Sequence, residues 1–247
     1  MKLTIVGSGD AFGSGGRLNT CFLLETAKAT LLVDCGASAL PALKKQGIDL
    51  NRIDAIILSH LHGDHFGGIP FFLLDSQLLA RREKPLLIAG PPGARARIDA
   101  ALEVFFPKST GSKWRFSWIV KEIPVGIQTD VLGHSLITNE VIHQSGAPST
   151  ALRVTDGRAC FAYSGDTEWT DTLLPIANAA DLFICECYAF AGKMTGHMTW
   201  EILQTKMPAL AAKRLMLTHM NPSMLTRLDE IRAAGVLVAD DGLQLVF

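Results

Sequence analysis

The stretch "SHLHGDHFGG", residues 59–68, sets three histidines and an aspartate into the six positions from His60 to His65. It follows directly on the apolar run "DAIIL", residues 54–58. Such a run reads as a buried strand, so the polar cluster stands at the strand's C-terminal end, where loops present functional side chains. In an extended or turning loop alternate side chains share a side, so His60 with His62, and Asp64 beside His65, can converge on two neighbouring points. Imidazole is a borderline-soft ligand and a carboxylate a hard one. The mixture suits zinc, with manganese or iron as alternatives, and two divalent metal ions are expected.

The rest of the chain has the composition of a packed globular protein. It has 247 residues, 48% hydrophobic and 19% charged, with glycine and proline spread throughout, which excludes disorder and predicts one domain over residues 1–247. The formal net charge of −1 gives no global basic field to hold a nucleic acid by counterion release. The opening "MKLTIVGSGDAFG" turns to glycine too early for a signal peptide, and no apolar stretch reaches transmembrane length, so the expectation is a cytoplasmic protein without a membrane partner. Cys21, Cys35, Cys160, Cys185 and Cys187 form no C-x-x-C pair and read as buried thiols.

Around the histidine loop the elements alternate. "KLTIVG", "CFLLET" and "ATLLVDCG" read as strands, "SALPALKKQG" as a helix with a glycine stop, and "IPFFLLDSQLLARR" and "PGARARIDAALEVFFP" as helices with arginines opposite an apolar face. Three strands follow in "GHSLITNEVIHQSG", "TALRVTDG" and "RACFAYSGD". Then come helix "TDTLLPIANAA", strand "DLFICECY", helix "TWEILQTKMPALAAK", strand "RLMLTHM" and helix "PSMLTRLDEIRAAG". A hairpin around Asp241-Gly242 is expected to close the chain. The two halves run loosely parallel, which predicts an α/β fold of four layers, an αββα sandwich.

Six of the seven histidines fall at strand ends or glycine-flanked turns: His60, His62, His65, His143, His197 and His219. His134 beside Gly133 reads as a turn or core residue. Asp166 in "YSGDT" ends a strand, where its two oxygens could bridge two cations. The order Asp34, His60-x-His62-x-Asp64-His65, His143, Asp166, His219 resembles the full motif series of the metallo-β-lactamase superfamily. Within it, "LTIVGSGDAFGSGGRLNTCFLLE", "SHLHGDHFGGIPFFL", "GHMT" and "LTHM" are similar to motifs of the ribonuclease Z and phosphodiesterase branch. The resemblance covers essentially the whole chain. It implies one metal held by His60, His62 and His143, a second held by Asp64, His65 and His219, and Asp166 with a nucleophilic hydroxide bridging them. Asp34 would steady the histidine loop from outside the ligand set. Oxygen-reducing diiron members resemble H-x-E-x-D, and His62 occupies the variable position here.

Hydrolysis on such a centre needs an acid for the leaving group. His197 in "KMTGHMTW" suits that role, ahead of a helix that Thr199 could cap, and Glu186 in "FICECY" could orient its ring. Asp64, His197 and Glu186 therefore form the catalytic candidates. Ser149 and Thr150 in "GAPST" could donate to a substrate phosphate, although turn chemistry explains them equally. Only 23 positions separate His143 from Asp166, an interval in which bacterial ribonuclease Z carries a long arm that grips transfer RNA. No such arm fits, which favours a small or medium phosphodiester. Alternatives are a lactone, thioester or sulfate ester on the same metals, transfer RNA 3′ processing, and a binding paralogue without catalysis. Dimers are common in this branch, so a homodimer is possible. "SKWRFSWIVK", residues 112–121, reads as a half-buried strand rather than a base-stacking flap, and "RREK", residues 81–84, as a solvated helix end.

Overall fold

The computed structural model describes residues 1–247. One sheet holds β1 (Lys2–Gly7), β2 (Cys21–Glu25), β3 (Thr30–Val33), β4 (Ala55–Ile57), β5 (Leu86–Gly90) and β6 (Trp118–Glu122). The other holds β7 (Thr129–Val131), β8 (His134–Glu140), β9 (Thr150–Thr155), β10 (Cys160–Tyr163), β11 (Leu182–Glu186), β12 (Leu215–Thr218) and β13 (Leu237–Val238). The last strand, β14 (Gln244–Val246), returns to the first sheet beside β1. In each sheet antiparallel pairs give way to parallel ones, at β3 in the first and at β10 in the second. The loose parallel between the halves is thus a repeated sheet pattern.

Side-chain alternation along the strands builds the layers. Leu31 and Val33 of β3, and Phe161 and Tyr163 of β10, enter an apolar layer between the two sheets. Their neighbours face outward. Leu32 packs beneath the helices α1 (Ala39–Lys45), α3 (Ile69–Leu78) and α4 (Ala94–Phe105), with the short α2 (Gly63–Phe66) set between strand and helix. Ala162 and Phe183 pack beneath α5 (Leu173–Ala177), α6 (Trp200–Lys206), α7 (Pro222–Leu225) and α8 (Leu228–Ala233). The αββα sandwich follows from these three apolar layers. All five cysteines are buried and free, and no helix is long and apolar enough to cross a membrane.

Several local expectations are corrected. Residues 236–247 form no hairpin: β13 joins β12 in one sheet while β14 joins β1 in the other. The reason is Asp241, whose carboxylate accepts from Ser8 N, Ser8 Oγ and Leu18 N, so the turn is bound to the first sheet. The helix expected over 222–235 is split into α7 and α8. In residues 112–121 the strand begins only at Trp118, although Trp114, Phe116, Trp118 and Val120 do pack against the helix-covered layer.

The segment 81–84 is not a helix end, and it is solvated only in part: Arg81, Glu83 and Lys84 are exposed, whereas Arg82 is not. α3 stops at Leu78, and Arg82 is 1% exposed. Its guanidinium donates to the carbonyls of Lys84, Leu50, Ile53 and Pro85 and lies over the Phe116 ring. Four hydrogen bonds from this five-donor fork to backbone carbonyls staple the chain before β4 to the chain before β5. Arg82→Met fills similar space but leaves these carbonyls without their donor. It is expected to cost about 3 kcal/mol in urea unfolding; a change below about 0.5 kcal/mol would show that the carbonyls rehydrate freely.

Candidate metal centre

The histidine loop is held from beneath by Asp34. This residue is fully buried at the end of β3, in the left-handed region at φ 59°. It accepts from Ser59 N at 2.7 Å, Ser59 Oγ at 2.7 Å and His65 Nδ1 at 2.7 Å. Because the Ser59 hydroxyl proton is given to Asp34, Ser59 Oγ must accept from His60 Nδ1, 3.0 Å away. His143 Nδ1 donates to the Gly196 carbonyl at 2.7 Å. These bonds fix the protons of three rings on Nδ1 and leave each Nε2 with a free lone pair, the form in which imidazole binds metal. The loop also needs close backbone approach: a Cβ at Gly36 would lie 2.1 Å from the Asp64 carbonyl oxygen.

Two donor sets result. His60, His62 and His143 form one, and Asp64, His65, Asp166 and His219 the other, with ligand-capable atoms in each within 4.8 Å of one another. In the second set Asp64 Oδ2 lies 3.1 Å from His219 Nε2 and 3.3 Å from His65 Nε2. Asp166 Oδ2 lies 3.3 Å from each of the same two nitrogens. Ligands bonded at 2.0–2.1 Å around a tetrahedral cation stand about 3.3 Å apart, so these spacings fit one. In the first set His143 Nε2 and His62 Nδ1 are 2.9 Å apart, and Asp166 Oδ2 is 3.9 Å from both His60 Nε2 and His143 Nε2. Asp166 thus stands between the sets. His60 Nε2, His65 Nε2 and Asp166 Oδ1 are buried without a hydrogen-bond partner. Unpaired buried polar atoms are costly, and a cation at these positions removes that cost.

The electrostatics of the two sets differ. Burial pushes His60 well below the usual histidine range and lowers His143, so the first set favours neutral imidazole. Burial opposes charge on Asp166 too, yet His219 and His65 hold it well below the usual carboxylate range. Against its own burial, Asp166 and Asp64 push His219 up to about 9. The second set therefore combines carboxylates with protons that a cation would displace.

A further histidine lies beside both sets. His197 Nδ1 is 2.9 Å from Glu186 Oε1, and Glu186 is fully buried at the end of β11. Glu186 also accepts from Thr167 N and Tyr188 N. The His197 ring is flanked by His143 at 4.9 Å, Tyr188 at 4.9 Å and, stacked, His219 at 5.6 Å. Its own burial lowers it, but the hydrogen bond and charge of Glu186 win and raise it above the ordinary histidine value. Two further groupings within the same 4.8 Å limit, one with His143 and Asp166 and one with Glu186 and His219, also include His197. We assign it outside the ligand sets because the nitrogen nearest Asp166, Nδ1 at 4.0 Å, is the one bound to Glu186.

Other expected residues fall elsewhere. Thr150 Oγ1 donates to the Ser59 carbonyl and so supports the histidine loop, whereas Ser149 Oγ pairs with Ser145 inside its own turn. Thr199 occupies the cap position of α6 but makes no capping bond through its side chain. His134 is buried between Thr26 Oγ1 and the Val131 carbonyl, as a core residue. Sequence reading overlooked Ser59, Gly196, Tyr188 and the Ser8–Asp241 pair. Ser8 matters because its carbonyl accepts from His219 N and Thr218 Oγ1, while His219 sits at a positive φ of 60°. Only Ser59 carried a signal, by adjoining His60.

Two facing sheets with histidines and aspartates gathered at their strand ends define a metal-dependent hydrolase of the metallo-β-lactamase fold. More particularly, the chain belongs to the family described as anti-Pycsar protein Apyc1, whose model matches residues 1–240. It is 30% identical over 232 residues to the probable metallo-hydrolase YhfI of Bacillus subtilis (strain 168), covering 89% of this chain and 87% of that protein. A ribonuclease Z of Anoxybacillus flavithermus is 31% identical over 159 residues, which are 63% of this chain and 48% of the relative. The crystal structure of the short form of human tRNase Z superposes with a TM-score of 0.80 at 26% identity, covering 100% of this chain and 99% of that one.

Proposed function

We propose that the protein hydrolyses small phosphodiesters with two divalent cations, zinc first, held by His60, His62 and His143 on one side and Asp64, His65 and His219 on the other, with Asp166 shared. The observation that carries this reading is the position of Asp166, within 4 Å of four imidazole nitrogens from both donor sets and with a second oxygen unpartnered. Cations bound there supply Lewis acidity and water of lowered pKa. The chain's own residues do the rest. Asp34, Ser59 and the Gly196 carbonyl keep the ring protons on Nδ1, so that Nε2 faces the centre. Glu186 accepts a hydrogen bond from His197 Nδ1–H and stabilises the charged ring, which leaves Nε2–H to give a proton to the departing oxygen.

Two carboxylates against two divalent cations leave the centre net positive, which attracts a phosphodiester anion. The ribonuclease Z and tRNase Z relatives support a phosphodiester as well. Transfer RNA is the lesser reading because β9, β10 and the turn joining them fill most of the interval from His143 to Asp166, leaving no arm there. The test is a panel on metal-replete protein: bis(p-nitrophenyl) phosphate, p-nitrophenyl phosphate, cyclic nucleoside phosphates, aryl sulfates, lactones and thioesters. Diesters are expected to turn over faster than the matching monoester, whose dianion binds the ground state without equal gain in the transition state. Turnover of lactones, thioesters or sulfates alone would remove the phosphodiester assignment.

A further inference from the structure

A closed circuit of hydrogen bonds runs through His143. Its Nδ1 donates to the Gly196 carbonyl at 2.7 Å, Gly196 N donates to Glu168 Oε1 at 2.8 Å, and Glu168 N donates to the Ile142 carbonyl at 3.1 Å. Ile142 is covalently joined to His143, so the circuit returns to its start. Thr167 tightens the last link, because its hydroxyl accepts from Ile142 N at 3.1 Å and donates to the Glu168 carbonyl at 2.6 Å. Gly196 approaches the imidazole as only glycine can: φ is 79°, and a Cβ there would lie 3.0 Å from His143 Nδ1. The chain leading to it, between β11 and α6, has few anchors. Ala191, Gly192, Lys193 and Thr195 are exposed. Apart from the turn bond between His197 N and the Met194 carbonyl, residues 191–195 are tied down from Gly192 N to Glu201 Oε2 at 3.2 Å. Glu168 itself is half-buried, forms no ion pair, and spends its carboxylate on the Gly196 N–H.

We propose that Glu168 is a positioning residue for His143: by holding Gly196 N it keeps the Gly196 carbonyl on His143 Nδ1, and so keeps Nε2 free for the first cation. The inference rests on the reading of His143 as a ligand of that cation. A neutral imidazole carries one proton, and the acceptor beside one nitrogen decides which of the two bears it. Without the carbonyl, the His143 proton gains by moving to Nε2, where His62 Nδ1 stands 2.9 Å away as an acceptor. Nε2 then has no lone pair for a metal. Of the links in the circuit, the one through Glu168 alone depends on a side chain other than the imidazole, and a carboxylate bonded to a backbone N–H is among the stronger hydrogen bonds. Because Glu168 stands two positions after Asp166, a single strand end supplies both the shared carboxylate and the restraint on His143.

The test uses the full chain and two measurements. In the first, metal-free protein is titrated with zinc against a chromophoric chelator. Wild type should take up two equivalents, and Glu168→Ala should weaken one of them roughly tenfold while holding the other within about twofold. Glu168→Gln keeps an oxygen that accepts from Gly196 N and should recover most of the loss. Glu201→Ala is the control: it frees the same loop at Gly192, leaves the circuit closed, and should bind zinc as wild type does. A loss at neither position or at both in Glu168→Ala, an equal loss in Glu201→Ala, or no recovery in Glu168→Gln overturns the proposal. The second measurement needs no metal: long-range proton–nitrogen spectra of metal-free protein with labelled histidines, at a pH where the ring is neutral. The His143 signals are those absent from His143→Gln. Wild type and Glu201→Ala should show His143 protonated on Nδ1, and Glu168→Ala should shift the proton toward Nε2. If the wild type binds no zinc, the metal reading fails and the spectra still decide whether Glu168 sets the ring. A proton that stays on Nδ1 in Glu168→Ala overturns the proposal. Should Glu168→Ala melt early, Glu168→Asp, one methylene too short to reach Gly196 N, takes its place in both measurements.

Discussion

Asp166→Ala is expected to abolish stable binding at both metal positions and to reduce hydrolysis on the order of 10³-fold or more. The size of the effect follows from its place. Asp166 is 1% exposed, with Oδ2 at 3.3 Å from His65 Nε2 and His219 Nε2 and at 3.9 Å from His60 Nε2 and His143 Nε2. On the proposed two-cation reading, its removal would take a shared ligand from the centre together with the negative charge that would offset the neighbouring cations at short range. His219→Ala removes a donor from the second set alone and should leave the first filled. Asp166→Asn keeps the shape without the charge and should behave more like Asp166→Ala. Elemental analysis after metal reconstitution and gel filtration separates these cases. Wild type is expected to hold two metals per chain; equal retention by Asp166→Ala and His219→Ala would contradict a shared carboxylate.

How the centre is assembled explains which parts of it could be read from the sequence. His60, His62, Asp64 and His65 lie within one loop, and their spacing is itself the signal. His143, Asp166 and His219 were legible because each is a chemistry-bearing residue where an apolar run gives way to a turn, and the structure brings them to the same place. The layers were legible for a related reason: period-two runs such as "LTIV" and "CFAY" state which side chain faces which layer. What stayed hidden depends on distant partners. Arg82 looks like an exposed arginine until the carbonyls of Leu50, Ile53 and Pro85 surround it. Asp241 looks like a hairpin residue until Ser8, 233 positions away, takes its carboxylate. Gly196 acts through its carbonyl, a group every residue type possesses. Tyr188 differs from a core aromatic only in where the chain has folded, beside His197. Local pattern and residue chemistry thus carry the fold and the candidate ligands, whereas the groups that orient those side chains emerge from tertiary contact.

His197→Ala should leave metal content and melting temperature nearly unchanged while lowering kcat by roughly 10²- to 10⁴-fold for a diester with a poor leaving group. The argument is geometric. His197 Nδ1 is engaged by Glu186 at 2.9 Å, the ring stands against His143, Tyr188 and His219, and its side chain keeps 21% exposure. Nε2 is therefore the atom available to a substrate. A p-nitrophenolate leaves with little help from an acid, whereas an alkoxide depends on it, so the loss should shrink sharply for bis(p-nitrophenyl) phosphate. Glu186→Gln provides a second comparison. An amide can still accept from Nδ1 through its oxygen but no longer stabilises the charged ring, so an intermediate loss with the same leaving-group dependence is expected. A purely structural defect would slow good and poor leaving groups alike. If His197→Ala instead strips one metal, or slows both substrates equally at full metal occupancy, His197 is a ligand or a positioning residue, and the acid must be sought elsewhere around the centre.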